Sequence, residues 1–353
     1  MDPFIHPRFE ASYERHPLVL VDVGARGGVK SHWSPATRHL RTIGFEPDRL
    51  EYERLVADTR ASDRVRFFDK ALHNRREPIP LRITRNPALT SVFEPNRTFL
   101  DRFPESERFD VVEVRQVDAC PLDDLLAAEH VDDIDFLKVD TQGSERYVIE
   151  GAAHALASSA VGVEVEVEFA PLYSGQPLFA DVDTTLRGLG YALFDLRPCY
   201  WKRSAGRTLG GPHGQIVWAD ALYLKNIVAL KRNLEPLEPE ARKNKALRAM
   251  SVSLLYGYWD YAMEIALETQ QYFDAVERAL IIDGLRHGGS AGRKTWLFPG
   301  RKALAAVFRR LWRLTVPAND AWSVGGATLG NPLLVASAAK PRKVDASPPP
   351  ATR

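Results

Sequence analysis

A chain of 353 residues is longer than one small core usually organises, so a main domain with an appendage is expected. Its 45% hydrophobic and 26% charged residues are ordinary for a globular protein, and a net charge of +1 gives no global case for a nucleic-acid or membrane binder. Two cysteines, Cys120 and Cys199, exclude a disulfide framework and a cysteine zinc cluster and suit a reducing compartment.

Residues 1–17 carry Pro3, Pro7 and Pro17 and read as an irregular arm. They lack a basic-then-apolar signal pattern, and no apolar run approaches the roughly 20 residues that span a bilayer, so a cytoplasmic location is expected. Leu18 to Val21 is a β-branched apolar run and predicts a buried strand. It closes in D-V-G-A-R-G-G, Asp22 to Gly28, a glycine-rich turn that lets backbone approach a ligand closely. A first helix is expected near 33–40, limited by Pro35. Arg41 to Phe45 is a second strand, ending at Glu46, where an acid can accept hydrogen bonds from a ribose diol. A polar helix follows from about Arg49 to Thr59, with Leu50, Leu55 and Val56 inward, then a strand at Val65 to Phe68 leading to Ala71 and Leu72. Residues 78–98 read as a hairpin or loop insertion with an edge strand, because Pro80 interrupts Ile79, Leu81 and Ile83. Val111 to Val117 is a further strand, and Leu122 to Ala128 a short helix.

Ile134 to Val139 is a strand ending in Asp140; Gly143 to Ala157 is helical, and Val161 to Phe169 a strand. A helix at Val182 to Leu189, a strand from Gly190 to Leu196, a glycine-rich loop at 203–214 and a strand from Ile216 to Leu224 complete the pattern. Alternating strands and helices imply a doubly wound parallel sheet. The last two strands are joined by a loop with no helical pattern, so the final one should run antiparallel. After about residue 229 a charged stretch with Pro236 and Pro239 reads as a linker, and helical spacing follows over 245–283. The helix from Arg301 to Leu314 has Leu304, Val307, Phe308, Leu311 and Trp312 on one side and Arg301, Lys302, Arg309, Arg310 and Arg313 around it. That pattern fits peripheral membrane contact through 301–314; packing on the main domain is the alternative expected first. The boundaries expected are an arm at 1–17, the main domain at 18–228, a helical appendage at 229–316 and a disordered tail at 317–353 rich in Ala, Pro, Gly and Ser.

The chemistry concentrates in two stretches. The glycine turn and Glu46, joined by a strand–helix unit, point to a nucleoside-containing cofactor, although G-A-R-G-G is not G-x-G-x-x-G and a tight turn alone also uses glycine. In F-L-K-V-D-T-Q-G-S-E, Phe136 to Glu145, Asp140 and Gln142 fall at the carboxyl edge where such sheets bind ligands. Asp140 there can orient a donor or take a proton; it could instead only cap the next helix, with Lys138 as its ion-pair partner.

These stretches, with P-L-D-D-L-L (Pro121 to Leu126), E-V-E-V-E-F-A-P-L-Y-S-G (Glu164 to Gly175), G-Y-A-L-F-D-L (Gly190 to Leu196) and W-A-D-A-L-Y-L (Trp218 to Leu224), resemble the FkbM-type family of S-adenosylmethionine-dependent methyltransferases. The resemblance runs in order over roughly residues 18–226. It implies a class I methyltransferase-like sheet of seven strands with an antiparallel last strand, S-adenosylmethionine as cofactor, and O-methylation of a sugar, glycan or natural-product hydroxyl. Carried over, Asp22, Gly24, Gly27 and Gly28 would line the methionine and ribose side, with Arg26 a departure in that turn. Glu46 would hold the ribose, Ala71 and Leu72 would lie beside the adenine, and Asp140 near the sulfonium, with Gln142 at the same mouth.

Methyl transfer is an in-line displacement, so the protein must align the acceptor oxygen and help remove its proton. Glu164, Glu166 and Glu168 share one strand face, and part of it must meet ligand, water or a cation such as Arg146, or else be an exposed edge. Asp140, Lys138, Glu166 and Glu168 are the catalytic candidates; His32 and His73 are further possible bases or plain loop histidines. Spacing alone fixes no metal-ligand set, and none is assigned. An NAD-linked oxidoreductase and a non-catalytic glycan- or partner-binding module are the competing readings. Acceptor identity and oligomeric state are not legible in the sequence.

Overall fold

The structure, a computed structural model, describes residues 6–59, 62–290, 298–315, 321–326 and 328–331. The chain opens with α1 (Pro7–Arg15), then β1 (Leu18–Val23), a 3-10 segment (Ser31–His39), β2 (Leu40–Phe45), α2 (Arg49–Thr59), β3 (Val65–Phe68), β4 (Ala71–Leu72) and β5 (Glu77–Thr84). Next come α3 (Arg97–Leu100), β6 (Val111–Cys120), α4 (Leu122–Ala128), β7 (Phe136–Val139), α5 (Glu145–Gly151), α6 (Ala153–Ser158) and β8 (Gly162–Glu168). Then follow α7 (Phe179–Gly188), β9 (Tyr191–Trp201), β10 (Gln215–Lys225), α8 (Ile227–Leu234), α9 (Pro239–Leu255), α10 (Trp259–Glu268), α11 (Ala275–Ser290), α12 (Arg301–Thr315) and β11 (Ser323–Gly325).

The main sheet runs β11-β9-β10-β8-β7-β1-β2-β3. From β3 through β8 neighbouring strands pair in parallel, and β10 is antiparallel to both β8 and β9. This is the expected seven-stranded doubly wound sheet with its last long strand reversed. An eighth strand, β11, adds antiparallel to the outer edge of β9. It lies inside 317–353, so that stretch is not wholly a disordered tail; its remaining residues, apart from 321–322, 326 and 328–331, lie outside the described ones. A second sheet, β4-β6-β5, places β5 at its edge, as Pro80 requires.

Two expectations at the N-terminal side are corrected. Residues 7–15 form a helix, not an irregular arm: Pro7 sits in the first turn, where its missing N–H costs nothing, and His6 Nδ1 accepts the Arg8 N–H at 3.2 Å. Phe9 and Tyr13, four residues apart, are both buried. The segment near 33–40 is 3-10 rather than α-helical, with Pro35 inside it. In α2, Leu55 is buried, whereas Leu50 points outward.

The sheet has two covered faces. Val19, Val21, Val163, Val165 and Val167 face α4–α7. Leu18, Leu20, Phe136, Leu222 and Leu224 face α1 and the helices after residue 226, packing with Met250, Tyr256 and Tyr261. The helical region therefore shares a core with the sheet, and Pro239, read as linker, is the first residue of α9. Lys245 Nζ sits 2.7 Å from Asp135 Oδ1 and donates to Ile134 O at 2.8 Å; Arg248 Nε lies 3.2 Å from the same carboxylate, whose other oxygen accepts Val19 N–H at 2.9 Å. By contrast α12, expected first to pack on the main domain, leaves Leu304, Val307, Phe308 and Leu311 exposed. No helix among the described residues is long and apolar enough to cross a membrane.

Candidate active site

A cavity of about 520 Å³ opens at the carboxyl ends of the parallel strands, a size that suits a small-molecule site. Its first wall comes from the turn after β1 and the end of β2. Gly24 has φ +71°, and a Cβ there would stand 2.0 Å from Asp140 O, so only glycine lets the turn pass the end of β7. Glu46, at the end of β2, lines the cavity and accepts Asp48 N–H at 2.9 Å. Burial raises its pKa from 4.5 to about 7, against the pull of that hydrogen bond and of Arg26. Arg26 lines the same wall and pairs with Asp48 at 2.9 Å, which answers where this departure from the family pattern points. Phe45, Ala71 and Leu72 supply apolar surface beside Glu46. The set fits a nucleoside with a ribose diol: a carboxylate acceptor, an apolar slot and a glycine that admits close backbone approach.

The middle of the cavity holds Asp140, Gln142 and Glu166. Gln142 has φ +57°, a left-handed conformation that turns its side chain back over the strand ends. Its Nε2 donates to Glu166 Oε1 at 2.6 Å and to Asp140 Oδ1 at 3.2 Å, and Tyr173 OH donates to its Oε1 at 3.2 Å. Burial first, and then the charges of Asp140 and Glu168, push the Glu166 carboxyl well above the ordinary range. Asp140 does not cap the following helix. Glu145 anchors that turn, accepting Thr141 N–H at 2.8 Å and Gly143 N–H at 2.9 Å.

Asp22, Gly27, Gly28, Lys138 and Glu168 do not line the cavity. Asp22 and Lys138 face each other across β1 and β7, with Oδ1 and Nζ 3.0 Å apart, and Lys138 also donates to Gly24 O at 2.8 Å. Burial opposes the Lys138 charge, but Asp22 and Asp140 outweigh it and keep the ammonium protonated. Lys138 is thus a tie between two strand ends. Gly27 and Gly28 turn the loop, Gly27 donating to Glu51 Oε1 at 3.1 Å. Glu168 is buried, and burial raises its carboxyl strongly.

Glu164 is engaged elsewhere, with Lys30 and with Tyr256 OH at 2.7 Å; Arg146, its expected cation, pairs with Glu150 at 2.8 Å. His32 packs on Tyr256, ring centres 4.8 Å apart, and His73 stacks on Tyr147 at 4.9 Å; neither reaches the cavity, and burial lowers both pKa values. The far end of the cavity is marked in the sequence only by the stretches that contain Leu172 and Trp218. It is formed by Arg108, Phe109, Leu172, Trp201, Trp218 and Ser323. Trp201 ends β9 and Trp218 lies near the start of β10, and only the pairing of those strands brings both indoles to one place.

The strand order, with one reversed strand, and a cavity at the sheet's carboxyl edge define a class I methyltransferase fold. Residues 22–193 match the family model described as the methyltransferase FkbM domain, and the chain carries a domain of that methyltransferase family. Among solved structures, the methyltransferase FkbM of Methylobacillus flagellatus KT aligns at 17% identity over 59% of this chain and 43% of its own, with a TM-score of 0.34. This chain thus spans less than half of that relative. The precorrin-6y C5,15-methyltransferase of Geobacter metallireducens GS-15 aligns at 11% identity over 61% and 87%, TM-score 0.32. A putative RNA methyltransferase of Pyrococcus horikoshii aligns at 11% over 62% and 80%, TM-score 0.28. No curated protein matches the chain.

Proposed function

We propose that the protein transfers a methyl group from S-adenosylmethionine to a hydroxyl oxygen of a sugar, glycan or natural-product acceptor. One observation carries this reading: Asp140 and Glu166 share a single amide, Gln142, inside the cavity. In the sheet order they stand between Glu46 at the end of β2 and Trp218 on β10. When bound, the cofactor supplies an electrophilic methyl group on a sulfonium. Glu46 would hold its ribose, and Phe45, Ala71 and Leu72 its adenine. Asp140, only partly covered, takes the acceptor hydroxyl's proton as the oxygen gains its methyl group. Burial and the neighbouring charges of Asp140 and Glu168 raise the Glu166 carboxyl, which favours its protonated, donating form beside Asp140.

Asp140→Asn tests this. Because Glu145 and not Asp140 anchors the next turn, the melting curve should barely move. Single-turnover methyl transfer with tritiated S-adenosylmethionine should fall by roughly 10²–10⁴-fold, the usual range for a lost general base. Near-wild-type turnover removes Asp140 from the mechanism. Binding of NAD but not S-adenosylhomocysteine would favour an oxidoreductase, and cofactor binding with no turnover across hydroxyl acceptors a non-catalytic module.

A further inference from the structure

The far end of the cavity contains a cation with no counterion among the described residues. Arg26, at the near end, is paired with Asp48, and Arg197 on β9 lies against Asp220. Arg108 differs: among the described residues no carboxylate oxygen comes within 4.0 Å of it, and its buried Nε has no hydrogen-bond partner. Its guanidinium lies 4.7 Å from the Trp322 ring centre, 5.0 Å from Trp201 and 5.2 Å from Phe109. The rings remove water and hold the group in place, and burial lowers its pKa despite the nearby charge of Glu105. A desolvated guanidinium at a cavity wall is a strong, oriented donor for an oxyanion, which it can bind through two parallel N–H bonds.

We propose that the acceptor carries an anionic group, a carboxylate or a phosphate, beside the hydroxyl it presents, and that Arg108 binds it. This rests on the methyltransferase reading and names the substrate class for it. Trp218, half-buried in the same lining, gives the acceptor's ring a flat surface to lie on.

The test is calorimetry on the full chain saturated with S-adenosylhomocysteine, titrated with inorganic phosphate, D-glucuronate and the neutral methyl glucoside. At least one anion should bind about tenfold more tightly than the neutral sugar, and the two anionic arms tell phosphate from carboxylate. Arg108→Gln should lose that preference, with S-adenosylhomocysteine affinity unchanged; Arg108→Lys, which keeps the charge but not the planar fork, should retain part of it. No anion preference in the wild type, or the same preference in Arg108→Gln, overturns the proposal. Failure of the wild type to bind S-adenosylhomocysteine overturns the methyltransferase reading instead.

A second inference rests on α12 alone. Its residues 304, 307, 308 and 311 follow helical spacing and are apolar, yet all are exposed, Val307 at 53% and Phe308 at 61%. At about 3.6 residues per turn, Lys302, Arg309 and Arg310 fall on the opposite side. No acidic residue occurs from Arg301 to Leu314. An apolar stripe backed only by cations is complementary to an anionic lipid surface, with chains below and phosphates around. We infer that α12 lies in the plane of an anionic bilayer.

Full-length protein should sediment with phosphatidylcholine vesicles containing phosphatidylserine, at least about tenfold more than with phosphatidylcholine alone, and salt should release it. Val307→Glu with Phe308→Glu should abolish sedimentation without moving the melting curve, because both side chains are already in water. Absence of wild-type binding, or binding unchanged in the double variant, overturns the inference. So does a double variant that only converts a wild-type oligomer to monomer, which would make this face a protein interface.

Discussion

Glu46 joins two opposing pH dependences in one side chain. Burial lifts its carboxyl from 4.5 to about 7. The folded pKa lies above the unfolded one, so its contribution to stability is complete below about 4.5 and is lost as pH rises through about 7. Ribose binding should run the other way, because an ionised carboxylate accepts two hydroxyl hydrogen bonds and a protonated one does not. Affinity for S-adenosylhomocysteine should therefore rise from about pH 6 to about pH 8. Glu46→Gln should be flat over that range and weaker at its top by roughly 1.5–3 kcal/mol, the value of hydrogen bonds to a charged group. Calorimetry across the range decides it, and a flat wild-type profile would remove Glu46 from ribose binding. That Glu46 and Asp140 stand at one cavity is legible in the sequence, because each follows an apolar run in an alternating pattern. The role of Lys138 is not, since its partners Asp22 and Gly24 lie more than a hundred residues away and meet it only through the β1–β7 register. Arg108 is hidden for the same reason: the rings that cage it come from three separate segments.

Among the elements, α9 has an energetic role that composition conceals. Its Lys245 and Arg248 read as ordinary surface cations of a helix, yet both are buried against Asp135, which is itself inaccessible. Removing one member of such a cluster leaves charge without full compensation. Lys245→Met should cost about 3–5 kcal/mol of stability, toward the lower end because Arg248 remains. Adding Asp135→Asn should recover part of that loss. Denaturant unfolding of the three proteins checks it, and an unchanged midpoint in Lys245→Met would show that the pair adds nothing. The proline-marked elements mislead in one direction: Pro7 and Pro239 read as breakers, but each occupies the first turn of its helix, the one place where a missing N–H is free.

At the scale of the whole molecule, the order of strands and helices through β10 and the reversal of its last long strand are legible in the sequence, because hydrophobic periodicity is a local signal. Strand β11 is not, since three residues in a stretch rich in Ala, Gly and Ser become a strand only when β9 offers an unpaired edge. Nor is the union of the two halves, which depends on Leu18, Leu20, Phe136, Leu222 and Leu224 meeting the C-terminal helices. That union bears on how variants of this chain can be recombined. Exchanging residues 227–290 with the matching segment of a relative transplants Lys245 and Arg248 but leaves Asp133 and Asp135 behind, so a hybrid inherits half of an electrostatic lock. A recombination library that treats 132–135 and 244–248 as a single inherited block keeps the lock intact, while crossovers between them separate its charges.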